Sequence, residues 1–250
     1  MKIAISQPTY LPWLGYFDLI DQVDTFIFLD NVQFEKQSWQ QRNRIKTPTG
    51  LQWLTVPVVF RGRFGQSINE VEIRDVDFGR THLRAIELNY RRCAFFDRYW
   101  ENLKARITSP ANGRLVDLNI GIIEWCMQKL GIRTKVLRSS GLGQKGKQAN
   151  LLANICGSLG ATEYLSPLGS VVYLLEQIDV FTNHDIQVLF QHYDHPVYRQ
   201  LFPPFCSHAS ILDLLMNEDD QSLSILRGGR RIPLFPREAN TFMSAESRVS

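Results

Sequence analysis

The chain has 250 residues, of which 44% are hydrophobic and 21% charged, and its formal net charge is +3. This composition is typical of a globular protein and excludes collagen-like, disordered and disulfide-rich chains, since the four cysteines lie far apart. No apolar run approaches the roughly 20 residues that span a bilayer, so we expect a cytoplasmic protein without membrane insertion. The basic residues are spread along the chain, which predicts no nucleic-acid partner.

The N-terminal segment predicts a strand, a loop, a helix and a second strand. The first strand is predicted over residues 2–6, and a loop over 7–15 contains Pro8, Pro12 and Gly15. Apolar residues at helical spacing predict a helix over 16–23. The continuous apolar run at 25–30 is typical of a strand buried on both faces of a parallel sheet.

The middle of the chain combines a polar stretch with helical periodicity. Residues 33–50 are polar and basic, and β-forming residues predict strands over 52–58 and 66–73. Apolar residues at helical spacing then predict helices over 78–89, 97–107 and 112–130. We interpret the segment of about residues 78–130 as a helical insertion.

The second half of the chain alternates strands and helices. Strands are predicted over 133–137, 161–166 and 186–193, and helices over 147–159, 170–179 and 211–217. Such alternation favours parallel pairing with right-handed crossovers. The predicted fold class is therefore α/β, with a mainly parallel sheet flanked by helices. We expect a single domain over residues 1–236 and a loose tail over 237–250.

The densest group of candidate functional residues follows the first two predicted strands. Ligands of α/β sheets bind at the carboxyl ends of the strands. Gln7 follows the first strand, while Asp30 and Gln33 follow the second, so these three side chains face one crevice if the strands are neighbours. The candidate substrate-binding residues of this region are Gln7, Tyr10, Trp13, Gln33, Lys36, Trp39, Arg42, Asn43 and Arg44.

These residue types suit a ligand that has a flat face and anionic oxygens. A guanidinium group can bind phosphate or carboxylate through two parallel hydrogen bonds, and an aromatic ring can stack on a planar group. The alternative is that Trp13 and Tyr16 are core residues and that the arginines form a solvated face. We favour a site, because a polar stretch of this length between two apolar strands is more than a connection needs.

Two later segments also follow predicted strands. Ser166 and Gly169 lie where a strand leads into a helix, so they are candidate substrate-binding residues for an anion. The alternative there is a plain helix N-cap at Ser170 or Gly169. His195 follows the last predicted strand, with Tyr198 as a further substrate-binding candidate.

His195 and Asp30 are the candidate catalytic residues. An imidazole titrates near neutral pH and can act as a general acid or base. The alternative for His195 is a structural histidine bonded to the backbone. His192 and His195 are three residues apart, but no further ligand accompanies them, so no metal site is expected.

Several sequence blocks resemble the WbqC-like protein family. They are residues 7–17 (QPTYLPWLGYF), 29–34 (LDNVQF), 38–46 (SWQQRNRIK), 164–169 (YLSPLG), 195–198 (HPVY) and 210–215 (SILDLL). The likeness extends to about Asn217. It implies a bacterial protein encoded among genes for surface polysaccharide, such as O-antigen, or for specialised metabolites. It further implies a transferase that places an acyl or aminoacyl group on an amino sugar or a similar amine.

We therefore predict a cytosolic group-transfer enzyme whose partner is a phosphate-bearing small molecule, such as a nucleotide-activated amino sugar. Arg42 and Arg44 would bind the phosphate, and Trp39 or Trp13 would stack on a planar group. Asp30 or His195 would accept the proton of the attacking amine. No cofactor is predicted, and the oligomeric state stays open. The alternative is a non-catalytic protein that binds a nucleotide sugar or phosphate ligand within a biosynthetic complex, which the absence of a strong nucleophile–base motif favours.

Overall fold

A parallel sheet forms the centre of the molecule in the computed structural model, which describes residues 1–75, 77–108 and 111–246. The strands are β1 (Lys2–Ser6), β2 (Thr25–Phe28), β3 (Arg42–Thr47), β4 (Gly50–Thr55), β5 (Lys135–Arg138), β6 (Glu163–Ser166) and β7 (Gln187–Phe190). Five of them form the sheet in the order β5-β2-β1-β6-β7, and every pair is parallel. The predicted α/β class is confirmed.

The strand order shows a doubly wound sheet with a switch point between β1 and β6. The chain places β2 and β5 on one side of β1, then crosses over and places β6 and β7 on the other side. The connections therefore diverge at β1 and β6, which leaves a crevice outside the carboxyl ends of these two strands. β1 and β2 are neighbours in this sheet, with Ile3 opposite Thr25.

Apolar side chains on both faces of the central strands explain why helices cover the sheet on both sides. All four residues of β2 are buried, as expected of a parallel strand that packs on two layers. Because side chains alternate along a strand, Ala4 and Phe26 contribute to one hydrophobic core and Ile3 and Ile27 to the other.

Helices surround this sheet and form the predicted central insertion. They are α1 (Leu14–Asp21), α2 (Phe78–Tyr90), α3 (Phe96–Thr108), α4 (Leu115–Leu130), α5 (Gln148–Ser158), α6 (Val171–Leu174), α7 (Asp179–Thr182), α8 (Ile211–Glu218), α9 (Ser222–Gly228) and α10 (Pro236–Glu246). Helices α2 to α4 occupy the segment predicted as helical, and their apolar faces join the same core as α1. The predicted helix over 170–179 is broken into shorter turns, of which α6 is the first.

A separate antiparallel hairpin contains β3, which forms within the polar stretch over 33–50, and β4, which overlaps the strand predicted over 52–58. β3 pairs with β4, and the turn between them ends at Gly50, whose φ of 119° lies in the left-handed region that glycine tolerates. The strand predicted over 66–73 is wrong: the segment contains one turn of 3₁₀-helix, Ile68–Glu70, capped reciprocally by Ser67 and Glu70.

The C-terminal part of the described chain packs against the outer edge of β7. Backbone amide and carbonyl groups of Phe190 and Leu234 exchange two hydrogen bonds of 2.9 Å. Helix α10 then forms where a loose tail is predicted from residue 237, and Ala239 is fully buried. The tail prediction is therefore wrong up to residue 246, because Ala239 finds an apolar partner surface; residues 247–250 lie outside the described residues. No helix in the described part of the chain is long and apolar enough to cross a membrane.

Candidate functional site

Three adjoining cavities lie in the crevice at the switch point. Cavity A, of about 460 Å³, lies beyond the ends of β1 and β6 and is lined by Gln7, Trp39 and Gly169 among others. Cavity B, of about 360 Å³, shares Gly169 with it and is also lined by Trp13 and His208. Cavity C, of about 270 Å³, shares Trp39 with cavity A and both Trp13 and His208 with cavity B. The three volumes thus meet around common walls.

Trp13 separates cavities B and C and has a tightly defined position. Its indole ring lies 4.8 Å from the His208 ring and 5.7 Å from the Tyr193 ring, measured between centroids. Gly15 permits this position, because a Cβ on that residue would lie 2.2 Å from Cη2 of the indole. The predicted Trp13 platform therefore lies in the crevice, and the absence of a side chain at Gly15 maintains it.

His195 lies behind Trp13 rather than in the cavity walls. Its ring stacks on the indole with centroids 6.0 Å apart and an interplanar angle of 15°. Nδ1 lies 2.9 Å from the carbonyl oxygen of Pro196, so the nitrogen donates and the proton resides there. Nε2 is buried and has no hydrogen-bond partner among the residues that the structure describes. Burial lowers the pKa of His195 to about 4, so the imidazole is neutral at pH 7.

His208 is a candidate functional residue that sequence reasoning did not select. It lines cavities B and C, and its ring lies 5.1 Å from the ring of His195. Its φ of 61° is costly for a residue with a side chain, and such conformations concentrate at functional sites. Partial burial and the nearby charge of Arg44 lower the pKa of His208.

Backbone hydrogen bonds hold the loop of His208 against the crevice. The amide of Ser210 donates to the carbonyl of Arg44, and the amide of Ile211 donates to the carbonyl of Pro12, both at 2.8 Å. The loop therefore joins β3 to the segment before α1. Since these contacts connect residues more than a hundred positions apart, no local sequence pattern indicates them.

Arg42 and Arg44 lie two residues apart on β3 and contact two exposed tryptophans, Trp53 on β4 and Trp39 before the hairpin. The guanidinium carbon of Arg42 lies 4.3 Å from the Trp53 ring centroid, and that of Arg44 lies 5.3 Å from Trp53 and 5.4 Å from Trp39. Among the described residues, neither guanidinium forms an ion pair, and Nε of Arg44 is buried without a hydrogen-bond partner. Unpaired guanidinium groups held on aromatic rings can bind an anion.

The hairpin places these two arginines differently relative to the crevice. Arg44 lines cavity C together with Asn43, whose Nδ2 donates to the carbonyl of Leu11 at 2.8 Å. Arg42 lies beside Trp53, outside the three cavities. Thus Trp13, Trp39, Asn43 and Arg44 line one cavity, with Arg42 outside it, and their binding roles stay predictions.

The strand ends at the switch point supply further polar groups. Gln7 lines cavity A, and its Oε1 accepts a hydrogen bond of 2.9 Å from Nε2 of Gln40. Gly169 lies in the walls of cavities A and B. Ser166 is buried below them, with its hydroxyl 2.6 Å from that of Ser170. Its predicted role in binding stays a prediction.

Asp30 does not lie in the crevice but supports a neighbouring loop. One carboxylate oxygen accepts hydrogen bonds from the Ser139 hydroxyl at 3.0 Å and the Ser140 amide at 2.9 Å, and the other accepts from the Ser140 hydroxyl at 2.7 Å. The expectation that Gln7, Asp30 and Gln33 face one crevice is not met. The reason is the strand order, in which β2 is followed outward by β5 and lies away from the switch point.

Four further predicted residues make contacts outside the three cavities. The buried hydroxyl of Tyr10 bonds to Nδ1 of His82 at 2.8 Å, and that of Tyr198 donates to Asp213 at 2.8 Å. Gln33 forms an isolated β-bridge with Ser67, and Nζ of Lys36 lies 3.8 Å from the Phe60 ring centroid. These contacts are structural, and the predicted binding roles of Tyr10, Gln33, Lys36 and Tyr198 stay predictions.

The described residues form no candidate metal site, and three of the four cysteine thiols are buried. They contain no group of three or more His, Cys, Asp or Glu side chains arranged to hold a metal ion. All four cysteines are free, and burial raises the pKa of Cys156 to about 12, which keeps this thiol protonated.

The structure defines an α/β protein with a doubly wound sheet whose switch point opens into a polar and aromatic crevice, the usual place of a ligand site in this class. Within that class, the chain belongs to the WbqC-like protein family, which matches residues 7–225. It is similar to the uncharacterized protein Rv1507c of Mycobacterium tuberculosis, with 40% identity over 227 residues, which cover 90% of this chain and 97% of the relative. No solved structure matches the chain.

Proposed function

We propose that the protein is a group-transfer enzyme that acts on a phosphate-bearing small molecule. The finer proposal is transfer of an acyl or aminoacyl group to the amine of a nucleotide-activated amino sugar. The observation that carries the proposal is the guanidinium of Arg44, which lines cavity C together with Trp13 and Trp39 and pairs with no acidic side chain of the described chain. A cation without an acidic partner beside two indole rings is suited to an anionic ligand that also has a planar part.

The crevice offers a role for each of these groups. Arg44 binds the phosphate, with Arg42 as a second cation two residues along the strand, and an indole ring stacks on the planar part. The amine nitrogen attacks the acyl carbonyl carbon, and the donor's leaving group departs with its electron pair. His208 is the candidate base for the amine proton, because it lines two cavities and its lowered pKa keeps it neutral at pH 7.

Of the two predicted catalytic residues, His195 has a supporting role in this proposal and Asp30 has none. His195 supports the Trp13 ring and keeps a free Nε2 lone pair near His208. Asp30 is left out, because its carboxylate is occupied by hydrogen bonds from the loop after β5. The biosynthesis of surface polysaccharide or specialised metabolites in the cytoplasm is the setting we propose, and the free cysteines fit a reducing compartment.

Ligand binding to variants of the anion site tests the proposal. We expect a nucleotide sugar from a panel to raise the thermal unfolding midpoint of the wild-type protein, and Arg44→Ala to weaken its binding about tenfold or more, since charge-assisted hydrogen bonds contribute about 1.5–3 kcal/mol. Arg92→Ala, an exposed arginine in the turn after α2, is the matched control. Equal binding by Arg44→Ala and wild type would refute the anion site.

Turnover separates an enzyme from a binding protein. With an acyl donor added, mass spectrometry should show an acylated nucleotide sugar, and His208→Gln should lose product while it retains binding. Binding without product for any donor would favour the alternative, a non-catalytic protein of a biosynthetic complex.

A further inference from the structure

Cavities A and C, which share Thr9 and Trp39, differ in charge. Arg44 lines cavity C, whereas no basic residue of the described chain lines cavity A. The charged side chain in the wall of cavity A is Glu35, and most of its other polar residues carry hydroxyl or amide groups. Lys36, next to Glu35 in the sequence, places its ammonium over the Phe60 ring and not in this cavity. The crevice therefore has an anion-binding compartment and a compartment that repels anions.

A fixed pair of amides forms one wall of cavity A. Gln40 donates from Nε2 to Oε1 of Gln7 at 2.9 Å, and its own Oε1 accepts from the amide of Glu35 at 3.1 Å. The backbone carbonyl of Gln40 accepts from the buried Asn119 at 2.7 Å. Both ends of the Gln40 amide therefore form hydrogen bonds, and the one to Oε1 of Gln7 orients the Gln7 amide. Nε2 of Gln7 then has no acceptor among the described residues.

Other groups in cavity A remain free to bind a ligand. Within the described chain, the Glu35 carboxylate and the hydroxyls of Ser6 and Thr9 have no side-chain hydrogen-bond partner, although all three residues line the cavity. The rings of Trp39 and Tyr173 form apolar walls beside them. Hydroxyl, amide and carboxylate groups next to aromatic faces match the two surfaces of a sugar ring, whose hydroxyls form hydrogen bonds while its C–H faces pack on the rings.

We propose that cavity A binds a sugar ring that carries no negative charge, either neutral or amine-bearing, and that Glu35 excludes acidic sugars. This inference rests on the proposed function, because the phosphate of the same ligand occupies cavity C at Arg44. The shared walls at Thr9 and Trp39 let one ligand extend from the cation to the carboxylate. Glu35 accepts hydrogen bonds from ring hydroxyls or an amino group, and a sugar carboxylate would meet a like charge.

Sugar phosphates that differ only in the charge of the ring test the inference. The probes are glucose 1-phosphate, glucosamine 1-phosphate and glucuronic acid 1-phosphate, with inorganic phosphate as the anion without a ring, and binding is measured by calorimetry. We expect glucose and glucosamine 1-phosphates to bind more tightly than inorganic phosphate, and glucuronic acid 1-phosphate about tenfold more weakly than glucose 1-phosphate. Glu35→Gln should bring the acidic and neutral sugars to within about threefold.

Two matched variants make the outcomes distinguishable. Glu87→Gln, which removes an exposed carboxylate on α2, should leave the preference unchanged. Arg44→Ala should weaken all four probes together. Equal binding of the acidic and neutral sugars by wild type, or a preference that survives Glu35→Gln, would overturn the sugar site while leaving the anion site intact. If no probe binds at all, both the sugar site and the proposed function fail.

Discussion

Replacing Gly15 by alanine tests whether close contact between the indole of Trp13 and α1 shapes the crevice. In a helix, alanine is more favourable than glycine by about 0.5–1 kcal/mol, so the substitution alone should stabilise α1. The new Cβ would, however, lie 2.2 Å from Cη2 and 2.3 Å from Cζ2 of Trp13, far inside van der Waals contact. The indole must therefore move.

The size of the effect follows from what Trp13 contacts. Overpacking costs about 1–3 kcal/mol, and displacement of the ring weakens aromatic contacts with Tyr193, His195 and His208 that contribute about 0.5–1.5 kcal/mol each. The higher helix propensity of alanine offsets part of this cost. Gly15→Ala should therefore lower the free energy of unfolding by about 1–2 kcal/mol. Urea unfolding followed by far-ultraviolet circular dichroism measures this change.

Gly121→Ala is the matched control, since it makes the same change inside α4, where no atom lies within 4 Å of the new Cβ. It should stabilise the protein by about 0.5–1 kcal/mol. A double variant completes the test: in the Trp13→Ala background the clash is absent, so Gly15→Ala should become stabilising. If Gly15→Ala is as stable as wild type, or costs the same with and without Trp13, the contact with the indole is not the cause.

Two further predictions concern buried polar groups. Asp30→Ala should lower the free energy of unfolding by about 3 kcal/mol, because it leaves the amide and the hydroxyl of Ser140 without their acceptor; an unchanged urea midpoint would contradict the structural role. Burial lowers the pKa of His82 from 6.5 to about 4. The unfolded chain therefore binds the proton more tightly than the folded protein does. The stability contributed by neutral His82 is complete above about pH 6.5, and the free energy of unfolding falls by about 3 kcal/mol as the pH is lowered towards 4. His82→Gln should flatten unfolding free energies measured over this range, and an equally steep decline in the variant would show that other groups cause it.

The parallel core could be predicted because its signal is local. The apolar runs of β1 and β2 and the helical spacing of α4 indicate their structures residue by residue, and their predicted extents agree closely with those observed. The sequence does not predict β3, because the outer face of this strand carries Arg42 and Arg44. β3 is a polar strand that pairs only with the next strand of its own hairpin, so it lacks the alternation of apolar residues by which a strand is predicted.

The candidate site was only partly predictable because it depends on the order of the strands. Gln7, Trp13, Trp39 and Arg44 could be identified as functional candidates from residue type and position. The sequence pattern placed Asp30 with them, since it follows a neighbouring strand, but strand order decides which ends converge. His208 is in the site because backbone hydrogen bonds connect its loop to Arg44 and Pro12, and such distant pairing leaves no mark on the local sequence.

The pairing of Leu234 with Phe190 also covers a strand edge that could otherwise pair with another molecule. β7 is the last strand on its side of the sheet, and an uncovered terminal strand is a template for β-pairing between molecules. Here the chain occupies that template itself and then covers it with α10. Family similarity ends at residue 225, before this covering segment. Removal of residues 230–246 would thus release backbone donors and acceptors of β7 and turn a monodisperse preparation into one that aggregates.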